Sequence, residues 1–234
     1  MIATIRQGLP EFGPTMERIQ SSFREPTEFH VLDGSEGKAQ ALNKAGEEIL
    51  ATCQSEFYVT LDDDIVPSAG WQSKVADAFE ALKQFGALGL WMGDQHDRLT
   101  LVGASHLDDW RTEEDVRYRR VRPPHHLNGG FIAYRTEVAR ALGLIPTEGV
   151  RYQLWEDAWR GRRVTQLGWE MAFIDAGPVD MVEYVDPKEY VELKARDLEF
   201  GKKSADRVLS GSGLGDSAGL RLRKWVARVR GRAK

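Results

Sequence analysis

Glu56-Phe57-Tyr58-Val59-Thr60-Leu61-Asp62-Asp63-Asp64-Ile65-Val66-Pro67 decides the reading of this chain. Its first half is apolar, β-branched and aromatic, the composition of a strand covered on both faces. It then ends in three consecutive carboxylates, which repel one another and are costly at a buried strand end unless positive charge sits beside them. The carboxyl end of a strand is where an open α/β sheet binds ligands. Mg²⁺ or Mn²⁺ carrying a nucleotide pyrophosphate would supply the missing charge, since such ions take one or two carboxylates plus phosphate oxygens. A solvated Asp-rich turn capping the following helix is the competing reading.

Working outward, strands alternate with helices. Residues 1–8 and Phe29–Leu32 read as strands, the second running into Asp33-Gly34-Ser35. Pro10 to Pro14 reads as a loop, followed by a short helix over Met16–Phe23. Leu42, Ala45 and Ile49 set the spacing of a half-buried helix over 38–51, and Val75, Ala78, Phe79 and Leu82 set another. Ala87–Met92, Leu99–Val102, Asn128–Tyr134 and Trp169–Ile174 add strands, with helices near Thr136–Leu142 and Trp155–Leu167. The expected class is α/β, a mostly parallel mixed sheet flanked by helices. Apart from its short strand, Asp94–Leu127 is polar and dense in charge, the character of a lid or binding loop.

The 234 residues suffice for one sizeable core. A single cysteine, Cys53, excludes an internal disulfide framework and a cysteine-rich zinc site. No leader-like or membrane-spanning run is present, so a cytoplasmic protein is expected. The net charge of −4 conceals an asymmetry: Gly219–Lys234 holds seven bases and no acids, and the remaining 25 bases (32 less 7) face 36 acids, a net of −11. Leu222, Trp225, Val226 and Val229 fall on one face of this basic tail, Arg221–Lys234. Such a helix suits an anionic membrane, nucleic-acid phosphates or the protein's own acidic body. The expected organisation is a main domain over 1–208 (a first half to about 93, a second from 94), a glycine-rich linker over 209–218 and the tail over 219–234.

Four segments then occur in a familiar order: Val31-Leu32-Asp33-Gly34-Ser35; Gly37-Lys38 through Asn43; Leu61-Asp62-Asp63-Asp64 with Pro67 and Trp71; and Gly129-Gly130 with Arg135, then Glu156-Asp157 and Arg163. Together they cover residues 1 to about 175. The chain resembles the family-two glycosyltransferases, which have the GT-A fold and use nucleotide-sugar donors. The resemblance implies a metal-dependent, inverting transfer of a single sugar to an acceptor hydroxyl. Asp33 and Lys38 would meet the nucleotide, where a turn aspartate and a surface lysine are the plain alternatives. Asp62 and Asp64 would hold Mn²⁺ or Mg²⁺, with Asp62 also facing the ribose. Asp63, grouped with the donor-binding residues, would point the other way in an extended backbone. Gly129 and Gly130 would admit donor or acceptor closely. Glu156-Asp157 would supply the base, Asp157, although carboxylates also suit a helix's first turn. Arg163 would pair with site carboxylates or phosphates.

Departures from the family accompany the match. No histidine follows His126 to complete the metal site, leaving Asp180, Glu183 or Asp186; the Gln-x-x-Arg-Trp motif of polymerising members is missing. The acceptor would be a lipid-linked or envelope glycan, or a hydroxylated DNA base as in some phage enzymes acting on DNA in an infected cell. A silent sugar- or nucleic-acid-binding module and a nucleotidyltransferase are the competing functions.

Overall fold

A computed structural model describes residues 1–93, 106–127, 130–147 and 155–186, with single positions at 188, 191 and 192. The expected strand at Leu99–Val102, Gly129, the linker and the basic tail lie outside the described residues.

Among the described residues, ten strands and five helices follow in order: β1 (Ile2–Thr4), α1 (Phe12–Ser21), β2 (Val31–Asp33), α2 (Lys38–Thr52), β3 (Phe57–Leu61), β4 (Ile65–Pro67), α3 (Trp71–Ala81), β5 (Phe85–Leu90), β6 (Arg111–Glu113), β7 (Val116–Arg120), β8 (Phe131–Arg135), α4 (Thr136–Leu142), α5 (Trp155–Gln166), β9 (Glu170–Ile174) and β10 (Val179–Met181). The main sheet has the order β3-β8-β5-β9-β7-β6. β1 extends it beside β3, since Met1 donates to the Val59 carbonyl and accepts from the Leu61 N–H, a parallel pattern. β2 then pairs parallel with β1. From these pairings β2, β1, β3, β5, β9 and β6 run one way, and only β8 and β7 are reversed. The sheet is mixed and mostly of one direction, as expected.

Side-chain alternation feeds two cores. Leu88, Leu90, Phe131, Ala133 and Ile174 pack on one face against Ile19 of α1 and Val75 and Phe79 of α3. Tyr58, Ile132, Tyr134, Met171 and Phe173 pack on the other against Leu42 of α2, Val138 and Leu142 of α4 and Val164 of α5. β5 is buried along its whole length, because both of its faces are covered.

Two expectations change. Helix α1 begins at Phe12, so Pro14 lies within its first turn; the amide it lacks would have had no intrahelical partner there. Within the expected loop, residues 111–120 form a hairpin. Its two-residue turn, Glu114-Asp115, has φ of 46° and 68°, a geometry that Gly or Asn usually signals.

β4 and β10 form a second, small antiparallel sheet, extended by a bond from the Val182 N–H to the Asp64 carbonyl. This pairing carries residues 182–186 back over the three aspartates.

Candidate active site

The strand ends at Leu61, and the three aspartates diverge from there. The Asp62 N–H bonds the Gly130 carbonyl, so the first residue of the triplet is still fixed by the sheet. Its carboxylate accepts from Lys38 Nζ at 2.6 Å. Lys38 opens α2 and also reaches Glu156 Oε1 on α5 at 2.8 Å. One ammonium therefore ties three elements together. Desolvation pulls its pKa down, but Asp62, Glu156 and Asp157 outweigh that and hold it well above the usual lysine value. The Lys38 side chain is 24% exposed and paired with two carboxylates.

Asp157 follows Glu156 in the first turn of α5. Desolvation, then the neighbouring Glu156, push its pKa well above the ordinary carboxylate range, with Lys38 and Arg160 acting in the opposite direction. A carboxyl so placed is a stronger proton acceptor than a solvated one. Beneath it Arg160 is buried, its guanidinium 5.5 Å from the Tyr134 ring centroid. Glu156 is 4% exposed, and its Oε2 is buried with no protein hydrogen bond.

Asp63 points the other way, as extended backbone requires. Its carboxylate accepts from the Thr4 hydroxyl and from Arg6 Nη1 at 2.5 Å. Both oxygens are thus engaged within the protein, and Asp63 serves to anchor the loop rather than to face a donor. Burial raises its pKa, with Arg6 and the Thr4 hydroxyl opposing that shift. Arg6 also reaches Asp64 at 3.5 Å and Asp186 at 2.7 Å, and lies 4.7 Å from the Tyr184 ring centroid. The Tyr184 hydroxyl donates to the Asp63 carbonyl. Arg6 escaped the sequence reading, although it is the only base in the first seventeen residues and three adjacent acids demand a counter-charge.

The remaining predicted residues separate. Asp33 is exposed and accepts from the Ser35 N–H and hydroxyl, which lower its pKa. The turn reading therefore describes its bonding here. At Gly130 an added Cβ would come within 3.0 Å of Met92 Cε and 3.3 Å of Ile65 Cγ1, so this glycine admits a side-chain packing contact. Arg163 donates to the Leu142 carbonyl and to Gln166, which places its guanidinium on the α4–α5 junction. Of the late acids, Asp180 pairs with Arg18 and Glu183 is exposed, whereas Asp186 shares Arg6 with Asp64. His125 stacks on His106 at 3.5 Å between centroids, and burial lowers the pKa of His126 to about 4.

Asp62 and Asp64 offer hard oxygen donors two residues apart at a strand end. Among the described residues no group of three or more metal-binding side chains is gathered. This donor set fits a divalent cation held by two carboxylates plus ligand oxygens, and does not fit an all-protein cage.

Comparison of the fold with solved structures gives a match along the whole chain. A mannosyltransferase from Pyrobaculum calidifontis, solved with GDP-Man and Mn²⁺, superposes with a TM-score of 0.57 over 99% of this chain and 72% of its own, at 18% identity. The chain has the GT-A glycosyltransferase fold. GalNAc-T7, solved with UDP, GalNAc and Mn²⁺, matches at a TM-score of 0.45 and 15% identity over 84% of this chain and 42% of its own. A mycobacterial protein matches at 0.48 and 14% identity over 92% and 74%. No protein-family model matches the sequence, and no curated protein does. In the GT-A fold described here, Lys38, Asp62, Asp64, Glu156 and Asp157 gather on the carboxyl side of β3.

Proposed function

We propose that the protein is a metal-dependent glycosyltransferase that moves one sugar from a nucleotide-diphosphate sugar to an acceptor hydroxyl with inversion. The observation that carries this reading is the Lys38 bridge, which links Asp62 at the strand end to Glu156 beside Asp157. It ties Asp62 to the start of α5, where the high-pKa Asp157 follows Glu156.

Asp62 and Asp64 would hold Mn²⁺ or Mg²⁺, with Asp186 the late acid best placed to assist. When bound, the ion would neutralise the diphosphate and stabilise charge on the departing group. Asp157 takes the proton of the acceptor hydroxyl while that oxygen forms its bond to the anomeric carbon. The bond from that carbon to the diphosphate oxygen breaks, and its electron pair leaves with the nucleoside diphosphate. Lys38 holds Asp62 and Glu156 at fixed separation and draws the pKa of Asp157 downward against its desolvation. Arg6 holds Asp63 and reaches Asp64, so that it anchors the loop after β3 while Asp62 faces Lys38. Glu156 beside the base is held by Lys38, and assigning Asp157 alone as the base supports single displacement.

The test is donor binding and hydrolysis over a panel of nucleotide sugars with Mn²⁺, Mg²⁺ or EDTA. Binding of one donor that needs metal and disappears in Asp64→Ala supports the transferase. Asp157→Asn should then bind donor without transferring sugar. If no nucleotide sugar binds with either metal, the reading fails.

A further inference from the structure

The geometry points to an acceptor platform built from Trp91, Trp110 and Arg119, which takes a saccharide carrying one anionic group. This rests on the transferase reading and names its acceptor class.

The placement follows from the sheet. At its carboxyl edge Asp62 ends β3, Gly130 precedes β8 and Trp91 follows β5, with Asp175 after β9 and Arg117 in β7 beyond. Strands lie about 4.8 Å apart, so Trp91 stands two steps, about 10 Å, along the edge from Asp62. Trp91 packs on the core beneath α2, α4 and α5, as does Phe173, which pairs in register with Arg119. The face is therefore the one that carries Lys38 and Asp157. An acceptor lying along it would present a hydroxyl to Asp157.

The chemistry of the platform is specific. Trp91 and Trp110 meet edge to face at 5.3 Å between centroids, and both are partly exposed. Partly exposed indole rings offer a flat apolar surface to the C–H face of a pyranose, here from Trp91 and from the part of Trp110 not covered by Arg117, whose guanidinium lies 4.3 Å from its centroid. The Arg119 guanidinium lies 5.2 Å from the Trp91 ring and 5.8 Å from the Trp110 ring, and its Nε donates to the Asp108 carbonyl. Arg111 and Arg122 pair with Asp108, Arg120 with Glu170 and Arg117 with Asp175. Arg119 meets no carboxylate among the described residues. Residues 106–122 hold five arginines against five acids (Asp108, Asp109, Glu113, Glu114, Asp115). That balance gives no field for a polyanion, whose binding needs clustered excess base. One uncompensated guanidinium stacked on two indoles instead fits one phosphate or carboxylate on a sugar.

The experiment uses ligand-observed saturation-transfer NMR on the full chain, with glucose 6-phosphate, glucuronate, methyl glucoside and an oligothymidylate as probes. Transfer to glucose 6-phosphate or glucuronate is expected, with methyl glucoside at least about tenfold weaker, the loss of one charge-assisted contact. A response to only one of the two anions identifies phosphate or carboxylate as the recognised group. Arg119→Gln should weaken the anionic probe by a similar factor, and Trp110→Ala should weaken it where Trp110→Phe does not. Melting curves identify variants that have failed to fold. Equal binding of methyl glucoside, no saccharide binding at all, indifference to both Arg119→Gln and Trp110→Ala, or preferential binding of the oligonucleotide would each overturn the inference. Donor binding by the wild-type protein is measured separately. Its failure removes the transferase reading and leaves a saccharide site that stands or falls on these results.

Discussion

Replacing Lys38 by methionine removes the charge that links α2, β3 and α5 while keeping most of the side-chain volume. Two bonds disappear, of 2.6 Å to Asp62 and 2.8 Å to Glu156. The Glu156 side chain is only 5% exposed, against 34% for Asp62, so the cost falls mainly on Glu156. Leaving a buried charge without its partner costs about 3–5 kcal/mol. Lys38 is itself 24% exposed, and water can reach part of the gap, which brings the expectation to about 2–4 kcal/mol. For a chain of this length each kcal/mol shifts the melting temperature by about 2–4 °C, so a fall of roughly 4–16 °C is expected. The assay is a double-mutant cycle with Glu156→Gln, read by thermal melting. Lys38→Met/Glu156→Gln should regain much of the loss, because no uncompensated glutamate is left. A second readout separates charge from packing. Lys38 lowers the pKa of Asp157, and Asp157 must be ionised to accept a proton. Its removal therefore moves the acidic limb of the transfer rate to higher pH. Strict additivity in the cycle together with an unmoved pH limb would refute the bridge.

Arg6→Gln should cost about 3–5 kcal/mol, since Asp63 is only 8% exposed in its side chain and loses its cation, and Asp63→Asn in the same chain should restore part of the melting temperature. Asp157→Asn should abolish transfer without lowering stability at neutral pH. A carboxyl whose folded pKa is raised contributes stability only at low pH and loses it as pH rises from the unfolded to the folded value, so the amide removes a penalty, and denaturant midpoints at pH 5 and 8 check the sign. Arg163→Ala should leave donor KM unchanged and cost about 1 kcal/mol, measured by chemical denaturation, because its bonds go to Leu142 and Gln166. Trp71→Ala should cost about 3–5 kcal/mol by the same measurement, as its ring is 4% exposed and lies 5.0 Å from Phe131.

Much of this fold was legible because periodicity and punctuation agreed. The apolar run to Leu61, the helical spacing of Leu42 and Val75, and the strand before Thr136 all appear where their patterns place them. The strands that were missed are three-residue pieces, β4 and β10, and a hairpin whose arginines alternate without a glycine turn. They exist because of tertiary pairing, which a local pattern does not encode. The site was legible as chemistry more than as geometry. Asp62 and Glu156 could be singled out by residue type, but only the fold shows that Lys38 joins them. Arg6 shows the converse: its role is written in a charge imbalance between segments 57 residues apart.

The position of β8 governs how such a chain can be assembled. It lies between β3 and β5, with Leu61 opposite Phe131 on one side and Ala87 opposite Tyr134 on the other. When the ribosome has released only the first ninety residues, β3 and β5 have no shared neighbour, and the slot between them stays open until residue 135 emerges. Asp62 then lacks the Gly130 carbonyl that fixes it, and Asp64 waits longer still, for Val182. The loop that carries the three aspartates is therefore fixed late and in two stages, first at Gly130 and then at Val182. A protein cut between residues 93 and 106 should yield fragments that recover function only on recombination, with the second fragment inserting its strand into the middle of the first.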